Sequence, residues 1–198
     1  MSANASRLLV VLTAFLAGLI AFSAAIFFVS GRSPAPITQP SAIGGAFKLV
    51  DQNGQTVTEE ALKGKPSLVF FGFTHCPDVC PTALFDMTEV YKALGKDGER
   101  VSAFFVTVDP ERDTPDVLKE YLSSFDPRLR GLTGDVAAVA AMEKAYRVYS
   151  KKVPLDGGGY TMDHTALVYL MDKDGRFVAP FNLKRKPEEA AADLRRYL

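Results

Sequence analysis

The longest apolar stretch of the chain runs from Leu8 to Val29 and contains no charged residue. At about 1.5 Å per residue, a helix of this length can cover a hydrocarbon layer of about 30 Å. We therefore predict one transmembrane anchor over residues 8–29, preceded by a short N-terminal segment, residues 1–7. A cleaved signal peptide is the alternative, because the small residues at 23–25 could serve a peptidase, although the apolar run continues beyond them.

The charges beside this stretch predict its orientation. Arg7 precedes it and Arg32 follows it, so a weak positive-inside bias favours a cytoplasmic N-terminus. The first six residues lack the Arg-rich amphipathic pattern of mitochondrial targeting sequences. We therefore expect a single-pass protein of a bacterial inner membrane, with the C-terminal domain in the periplasm.

A change of composition separates the predicted anchor from the rest of the chain. Residues 30–45 are rich in Pro, Ser and Gly, which is typical of a flexible, solvated linker. The remaining residues, 46–198, are about as many as one folded domain needs. We predict a single globular domain there.

Within this domain, strand-like and helix-like hydrophobic patterns alternate. Ser67–Phe73 is a continuous apolar run, typical of a strand buried on both faces. Apolar residues at helical spacing follow from Leu84 to Leu94 and stop near Gly95. The other predicted elements are a β-hairpin at Phe47–Val50 and Gln55–Thr58, a strand at Val101–Val108, helices at Pro115–Phe125 and Val136–Val148, a strand pair at Thr165–Met171 and Arg176–Phe181, and a final helix from Pro187. This order predicts an α/β fold, a thioredoxin-like sandwich with a mixed central sheet and an N-terminal β-hairpin.

The charge balance argues against one class of partner. Lys plus Arg and Asp plus Glu number 23 each. The chain therefore has no net positive field that could hold a phosphate backbone through counterion release. We expect no nucleic-acid partner.

Two cysteines, Cys76 and Cys80, follow the predicted central strand, at the strand end where α/β folds place their sites. On a helical turn, residues four apart share a face, so the two sulfurs could hold one metal ion or form a disulfide bond. The start of a helix should also lower the pKa of a cysteine there and favour the thiolate. A structural disulfide is the alternative, but so short a loop would remove little entropy from the unfolded chain.

A histidine would turn this thiol pair into a donor set for copper, because two thiolates and an imidazole suit Cu(I) and can also hold Cu(II). His164 is our predicted third ligand, because its loop, just before an apolar strand, can lie beside the cysteine loop. The alternative is a loop histidine hydrogen-bonded to Asp163 or to backbone. His75 is less suited, because adjacent side chains in extended backbone point in opposite directions. Zinc is the weaker metal alternative and would need a fourth ligand, such as an oxygen of Asp78 or Asp163.

Three separated motifs resemble the SCO/SenC family. They are Phe70–Pro81, which contains both cysteines, Val108–Thr114, and Asp163–Thr165. The similarity covers the chain from about Ile43 to Leu198 and includes the single N-terminal anchor. Thr165 stands where the family often has serine, which is a small polar exchange.

The resemblance implies a thioredoxin-like fold with copper bound by Cys76, Cys80 and His164. It also implies a role in assembling the binuclear copper centre of cytochrome c oxidase subunit II. That role would consist of delivering copper, of reducing that subunit's cysteines with the redox-active thiol pair, or of both. A copper donor protein and a thiol reductant would then be further partners. Asp109 matches a family position near the site, but a strand-end carboxylate in a turn explains it equally well, and we leave it out of the ligand set.

Other functions would use the same cysteines. A membrane-anchored thiol–disulfide reductase without metal transfer needs both sulfurs but gives His164 no task. A redox or copper sensor without metal transfer is another alternative, and no feature of the sequence separates it from a chaperone. A peroxidase shares the fold, but the usual Thr-x-x-Cys framework of peroxiredoxins is absent, because Thr74 lies only two residues before Cys76. The sequence therefore favours a copper-binding chaperone and leaves any enzymatic activity open.

Overall fold

The computed structural model describes residues 12–20, 22 and 43–198. Residues 12–20 and 22 belong to one unit and residues 43–198 to a second. In the first unit the described residues are helical. No helix within the described ranges is both long and apolar enough to cross a bilayer. The predictions for residues 1–7, for the remainder of 8–29 and for most of the linker fall outside the described residues.

The second unit is built from nine strands and four α-helices, connected in part by short 3-10 turns. The strands are β1 Lys48–Asp51, β2 Thr56–Thr58, β3 Ser67–Gly72, β4 Ser102–Thr107, β5 Leu129–Thr133, β6 Ser150–Pro154, β7 Tyr160–His164, β8 Val168–Met171 and β9 Phe177–Phe181. The helices are α1 Val79–Leu94, α2 Pro115–Leu122, α3 Val136–Ala145 and α4 Pro187–Leu194. The 3-10 turns are Glu59–Leu62, Gly95–Arg100 and Arg195–Tyr197.

Seven of these strands form one sheet in the order β2-β1-β5-β4-β3-β8-β9. The three central strands β3, β4 and β5 are parallel, and the other pairings are antiparallel. The sheet is therefore mixed, and β1 and β2 form the N-terminal hairpin, as the hydrophobic pattern predicts. Both features of the predicted fold class are confirmed.

Strand β3 lies inside the sheet, between β4 and β8, and all six of its residues are buried. Phe70 illustrates the packing: it lies opposite Phe105 of β4 in register and opposite Val168 of β8. Parallel strands covered on both faces need such continuous apolar runs. The carboxyl end of β3, at Gly72, therefore opens from the middle of the core toward the loop that carries the cysteines.

The predicted helices are confirmed, but two of them end earlier than their apolar residues suggest. Helix α1 ends at Leu94, and Gly95 follows it with a φ of 58°, in a region that glycine adopts without strain. Helix α2 ends at Leu122 and α3 at Ala145, three residues short of the predicted ends in each case. Phe125 and Val148 still pack against the core from the following turns, which explains why they continue the apolar pattern.

Two features differ from the sequence-based expectation. Strand β5 was not predicted, because Leu129–Thr133 is short and contains a glycine and an arginine. The second is a separate two-stranded sheet formed by β6 and β7. Its first strand is half-buried at Ser150 and otherwise exposed, so it carries no apolar alternation. His164, expected in a loop, is the last residue of β7. The one local sign of the β6–β7 hairpin in the sequence was the triple glycine at 157–159, which forms its turn.

Candidate metal centre

The cysteines lie on the connection between the carboxyl end of β3 and the start of α1. Cys76 precedes the helix, and Cys80 lies in its first turn. Cys80 is fully buried and Cys76 is 9% exposed. Asp78, at the N-cap, makes no side-chain capping hydrogen bond. Instead the backbone N–H of Cys80 donates to the sulfur of Cys76 at 3.4 Å, so the helix start binds one of the two sulfurs directly.

The close approach of Cys80 to the sheet depends on a glycine. A β-carbon on Gly72 would lie 2.7 Å from the Sγ of Cys80 and 2.7 Å from a ring carbon of Phe105. β-Carbons in proteins essentially never approach another heavy atom so closely. Both neighbours are fully buried, so neither side chain can move into solvent to make room. Gly72 therefore leaves the space in which the sulfur of Cys80 lies against strand β3.

The backbone of the next residue, Thr165, and two aromatic rings orient the imidazole of His164 toward the sulfurs. Its Nδ1 lies 3.1 Å from the carbonyl oxygen of Thr165. Because a carbonyl only accepts, Nδ1 carries the proton, and the lone pair is left on Nε2. The imidazole ring stands edge-on to the ring of Phe73, with 5.6 Å between the ring centres, and packs against the ring of Phe70, with 6.4 Å between the centres. Nε2 then lies 3.6 Å from the Sγ of Cys80.

The three predicted donors therefore meet. The ligand atoms of Cys76, Cys80 and His164 all lie within 4.8 Å of one another. Of the two outcomes considered for His164, the hydrogen bond to backbone is present, but it occupies only Nδ1, so Nε2 still faces the sulfurs. Two sulfurs and one imidazole nitrogen form a soft donor set that suits copper.

No further donor joins this group among the described residues. Neither Asp78 nor Asp163, considered as oxygen ligands for zinc, belongs to it. A structural zinc site normally has four protein ligands, so the donor set fits copper better than zinc. His75 is also outside the group. It is exposed, and its Nδ1 lies 3.0 Å from Thr74 Oγ1 and 3.9 Å from a carboxylate oxygen of Asp113.

Burial dominates the electrostatics of Cys80. Desolvation raises the pKa of its thiol far above the ordinary value of 9.0, and a backbone hydrogen bond from Phe73 offsets only part of this effect. The expectation that the helix start lowers the pKa is therefore wrong for Cys80, because the cost of placing a charge in the apolar core exceeds the benefit of the helix dipole. Without a metal, this sulfur carries its proton at neutral pH.

Sequence reasoning missed the residue that holds the cysteine loop. Asp113 is fully buried. It accepts hydrogen bonds from the backbone N–H of Thr74 at 3.1 Å and from the hydroxyls of Thr74 and Thr107, both at 2.6 Å. These bonds connect the loop to the end of β4 and to the segment that follows it. The only signal was an aspartate inside the motif Val108–Thr114, which by itself looks like a solvated turn residue.

Asp109 is placed differently from a metal ligand. It is buried and accepts a hydrogen bond from the hydroxyl of Tyr160 at 2.8 Å. It also pairs with the Nε of Arg112. Its carboxylate therefore faces the β6–β7 hairpin, and leaving it out of the ligand set agrees with this geometry.

Two of the three donor residues, Cys76 and His164, line a depression of about 340 Å³ together with Phe73 and others. A larger, mainly apolar groove of about 560 Å³ lies beside it. The two share Asp78, Val79 and Ala166 as wall residues. An approaching protein can therefore reach Cys76 and His164 from one side, whereas Cys80 lies behind them in the core.

Known proteins resemble this chain over most of its length. A family model described as SCO1/SenC matches residues 35–198. A SCO2-like protein of Rickettsia felis is 43% identical over 149 residues, which make up 74% of this chain and 73% of that protein.

Solved structures share the thioredoxin-like fold with its mixed sheet. ScoI of Bradyrhizobium japonicum, with copper bound, is 68% identical and superposes with a TM-score of 0.77, covering 79% of this chain and 99% of that one. BsSco, described as a member of the Sco family of cytochrome c oxidase assembly proteins with a disulfide switch, is 26% identical with a TM-score of 0.62, covering 81% and 96%. This chain therefore belongs to the SCO1/SenC family.

Proposed function

We propose that this protein is a copper chaperone for cytochrome c oxidase, and that it delivers copper to the binuclear centre of subunit II. The observation that carries the proposal is the convergence of Cys76, Cys80 and His164 within 4.8 Å. The copper-bound structure of the Bradyrhizobium japonicum relative supports copper as the cargo. The description of BsSco as belonging to a family of cytochrome c oxidase assembly proteins supports the oxidase as the destination.

Three donors beside an open depression suit a protein that releases its metal. A closed four-ligand site has no position free for an incoming donor, whereas a three-donor site leaves one side accessible. Thiolates of the acceptor would approach through the depression and displace the three donors stepwise. Cys76, the more exposed of the two cysteines, would be exchanged before the fully buried Cys80.

The same sulfurs could also reduce the acceptor. Cys76 and Cys80 would lose two electrons and two protons and form a disulfide bond, while a disulfide in subunit II would gain both and become two thiols. A thiol reductant would then restore the pair. Formation of this disulfide removes both sulfur donors, so the redox state of the pair controls copper loading. The disulfide switch described for BsSco is the observation that favours this second function.

The proposal also covers the membrane anchor and the cellular location of the domain. We place the protein in a bacterial inner membrane, anchored by residues 8–29 and followed by a linker at 30–45, with the domain of residues 46–198 in the periplasm. The uncharged apolar run from Leu8 to Val29 supports the anchor. A copper donor protein would load the site, and the membrane would keep the chaperone near the oxidase.

The test mixes the copper-loaded, full-length protein in detergent with the reduced, copper-free copper domain of subunit II. We expect copper to move to the acceptor and the absorption of its binuclear centre to appear. An acceptor that free copper can load but that stays empty beside the loaded chaperone would overturn delivery.

A second arm separates delivery from reduction. The copper-free, reduced protein is mixed with the disulfide form of the acceptor, and the acceptor's thiols are counted. The variant His164→Ala should retain this reaction and lose copper delivery, because thiol exchange needs only the sulfurs. Loss of both reactions in this variant would show that His164 serves the thiols rather than the metal.

A further inference from the structure

The hairpin that carries His164 has little support from the main sheet. Among the residues that the structure describes, strands β6 and β7 pair only with each other. Most of β6 is exposed, and Met162 is the buried residue of β7. A two-stranded hairpin is marginally stable on its own. The position of the His164 imidazole therefore depends on a few specific contacts between this hairpin and the rest of the domain.

Arg112 makes the principal contacts to the start of β7. Its Nη1 donates to the carbonyl oxygen of Tyr160 at 3.0 Å, and its guanidinium carbon lies 3.9 Å from the centre of the Tyr160 ring. Its Nε pairs with the buried carboxylate of Asp109. The hydroxyl of Tyr160 donates to the same carboxylate at 2.8 Å. Arg112, Tyr160 and Asp109 thus form a closed set of contacts, called here the Arg112 clamp.

The clamp also reaches the cysteine loop. The guanidinium carbon of Arg112 lies 5.9 Å from the centre of the Phe73 ring. Phe73 is the first residue after β3, and its ring packs edge-on against His164 at 5.6 Å. A planar guanidinium stacks on aromatic faces and forms directed hydrogen bonds at the same time, which lysine cannot do. Arg112 is thus in contact with both segments that supply metal donors.

A neighbouring ion pair attaches the hairpin to the rest of the domain much more weakly than Arg112 does. Lys152 of β6 pairs with Glu111 at 2.6 Å, but both side chains are about half exposed. Exposed pairs of this kind are screened by water and salt. Of these two polar attachments, the partly buried contacts of Arg112 are therefore the stronger.

We propose that Arg112 is a positioning residue for copper binding, which holds the β6–β7 hairpin so that His164 stays beside the two sulfurs. The inference rests on the proposed copper-binding function. Without the guanidinium, the hairpin would move away and take the imidazole with it. The two cysteines, held by β3 and α1, would remain together.

The test measures Cu(I) affinity of the reduced, full-length protein by competition with a chelator. We expect Arg112→Ala to lose about 10- to 100-fold in affinity, the range found when groups that orient metal ligands are removed. Arg112→Lys should recover part of this loss. The matched control is Arg130→Ala, because Arg130 also pairs with a buried aspartate, Asp51, at 2.8 Å but contacts none of the donors. Its affinity should stay within about twofold of wild type.

A double variant distinguishes positioning from a general structural effect. If Arg112 acts through His164, the variant Arg112→Ala/His164→Ala should bind copper no more weakly than His164→Ala alone. Additive losses would overturn the inference. If His164→Ala itself binds like wild type, the proposed ligand set fails, whereas normal affinity in Arg112→Ala beside a weakened His164→Ala overturns only the clamp.

A readout without copper completes the test. Amide hydrogen exchange of the metal-free protein should be faster in β6 and β7 of Arg112→Ala and unchanged in β3 and β4. Unchanged exchange in the hairpin would contradict the clamp whatever the copper affinity. Should Arg112→Ala fail to fold, the same measurements on Arg112→Lys and Tyr160→Phe decide, and wild-type affinity in both would overturn the inference.

Discussion

The Nε2 of His164 lies 3.6 Å from the Sγ of Cys80, although 84 positions separate the two residues in the chain. One donor comes from a helix start after the central strand, and the other comes from the end of a hairpin outside the main sheet. The complete donor set therefore exists only in the folded domain. Variants of either segment should affect metal binding in ways that can be told apart.

Replacing the imidazole should weaken copper binding without unfolding the protein. His164→Ala removes one of three donors, and we expect the Cu(I) affinity to fall by at least about tenfold, or about 1.4 kcal/mol. The matched control is His75→Ala, since this histidine is exposed and lies outside the donor group. Competition titrations measure the Cu(I) affinity of both variants. Equal losses of affinity in the two would show that His164 is not a ligand.

A methyl group on Gly72 should displace the sulfur of Cys80 and so disturb the metal site. Gly72→Ala places a β-carbon against the sulfur of Cys80 and the ring of Phe105, so we expect stability to fall by about 1–3 kcal/mol and copper affinity to fall with it. Gly157→Ala is the control, because its β-carbon would meet nothing within 4 Å. Chemical denaturation and metal titration measure the two effects. A stable Gly72→Ala with normal affinity would show that the sulfur can move without cost.

Copper uptake should release protons at neutral pH. Burial raises the pKa of the Cys80 thiol, so this group is protonated before binding and must lose its proton to coordinate. We expect release of about one proton or more per copper at pH 7, and an affinity that rises with pH. Calorimetry in two buffers with different ionisation enthalpies counts the protons. Binding without proton release would mean that the sulfur is already a thiolate in the metal-free protein.

Asp126 should contribute stability that is lost in acid. A hydrogen bond from Arg128 lowers the pKa of Asp126 below its ordinary value of 3.8, with burial opposing the shift. A carboxylate with a lowered pKa stabilises the fold above about pH 4, and this contribution disappears as the pH falls through its folded-state value. We expect Asp126→Asn to cost about 1–3 kcal/mol near neutral pH and to flatten the loss of stability in acid.

The control for this prediction is an exposed pair of the same type. Asp97 pairs with Arg195 at 2.9 Å, but both side chains are 41% exposed. Asp97→Asn should change the free energy of unfolding by no more than about 0.5 kcal/mol. Urea denaturation of both variants between pH 3 and pH 7 would test the contrast, which a similar cost in the two variants would contradict.

Local patterns in the sequence determined the framework of the site. The continuous apolar run of β3 predicts a buried central strand, and the cysteines that follow it predict chemistry at the carboxyl end of that strand. These inferences succeed because side-chain periodicity and turn residues act over a few positions. The position of His164 just before an apolar strand favoured it as the third ligand, and the motifs that resemble the SCO/SenC family agree with that choice.

Only the tertiary structure decided how the site works. The hairpin that carries His164 has no apolar alternation, so neither its strands nor its attachment through Arg112 could be read from local pattern. The protonation of Cys80 depends on how deeply β3 and α1 bury it, which overrides the effect of the helix start. Both properties arise from contacts between residues far apart in the chain. Such contacts depend on the path of the backbone, which the residues beside each cysteine and histidine do not specify.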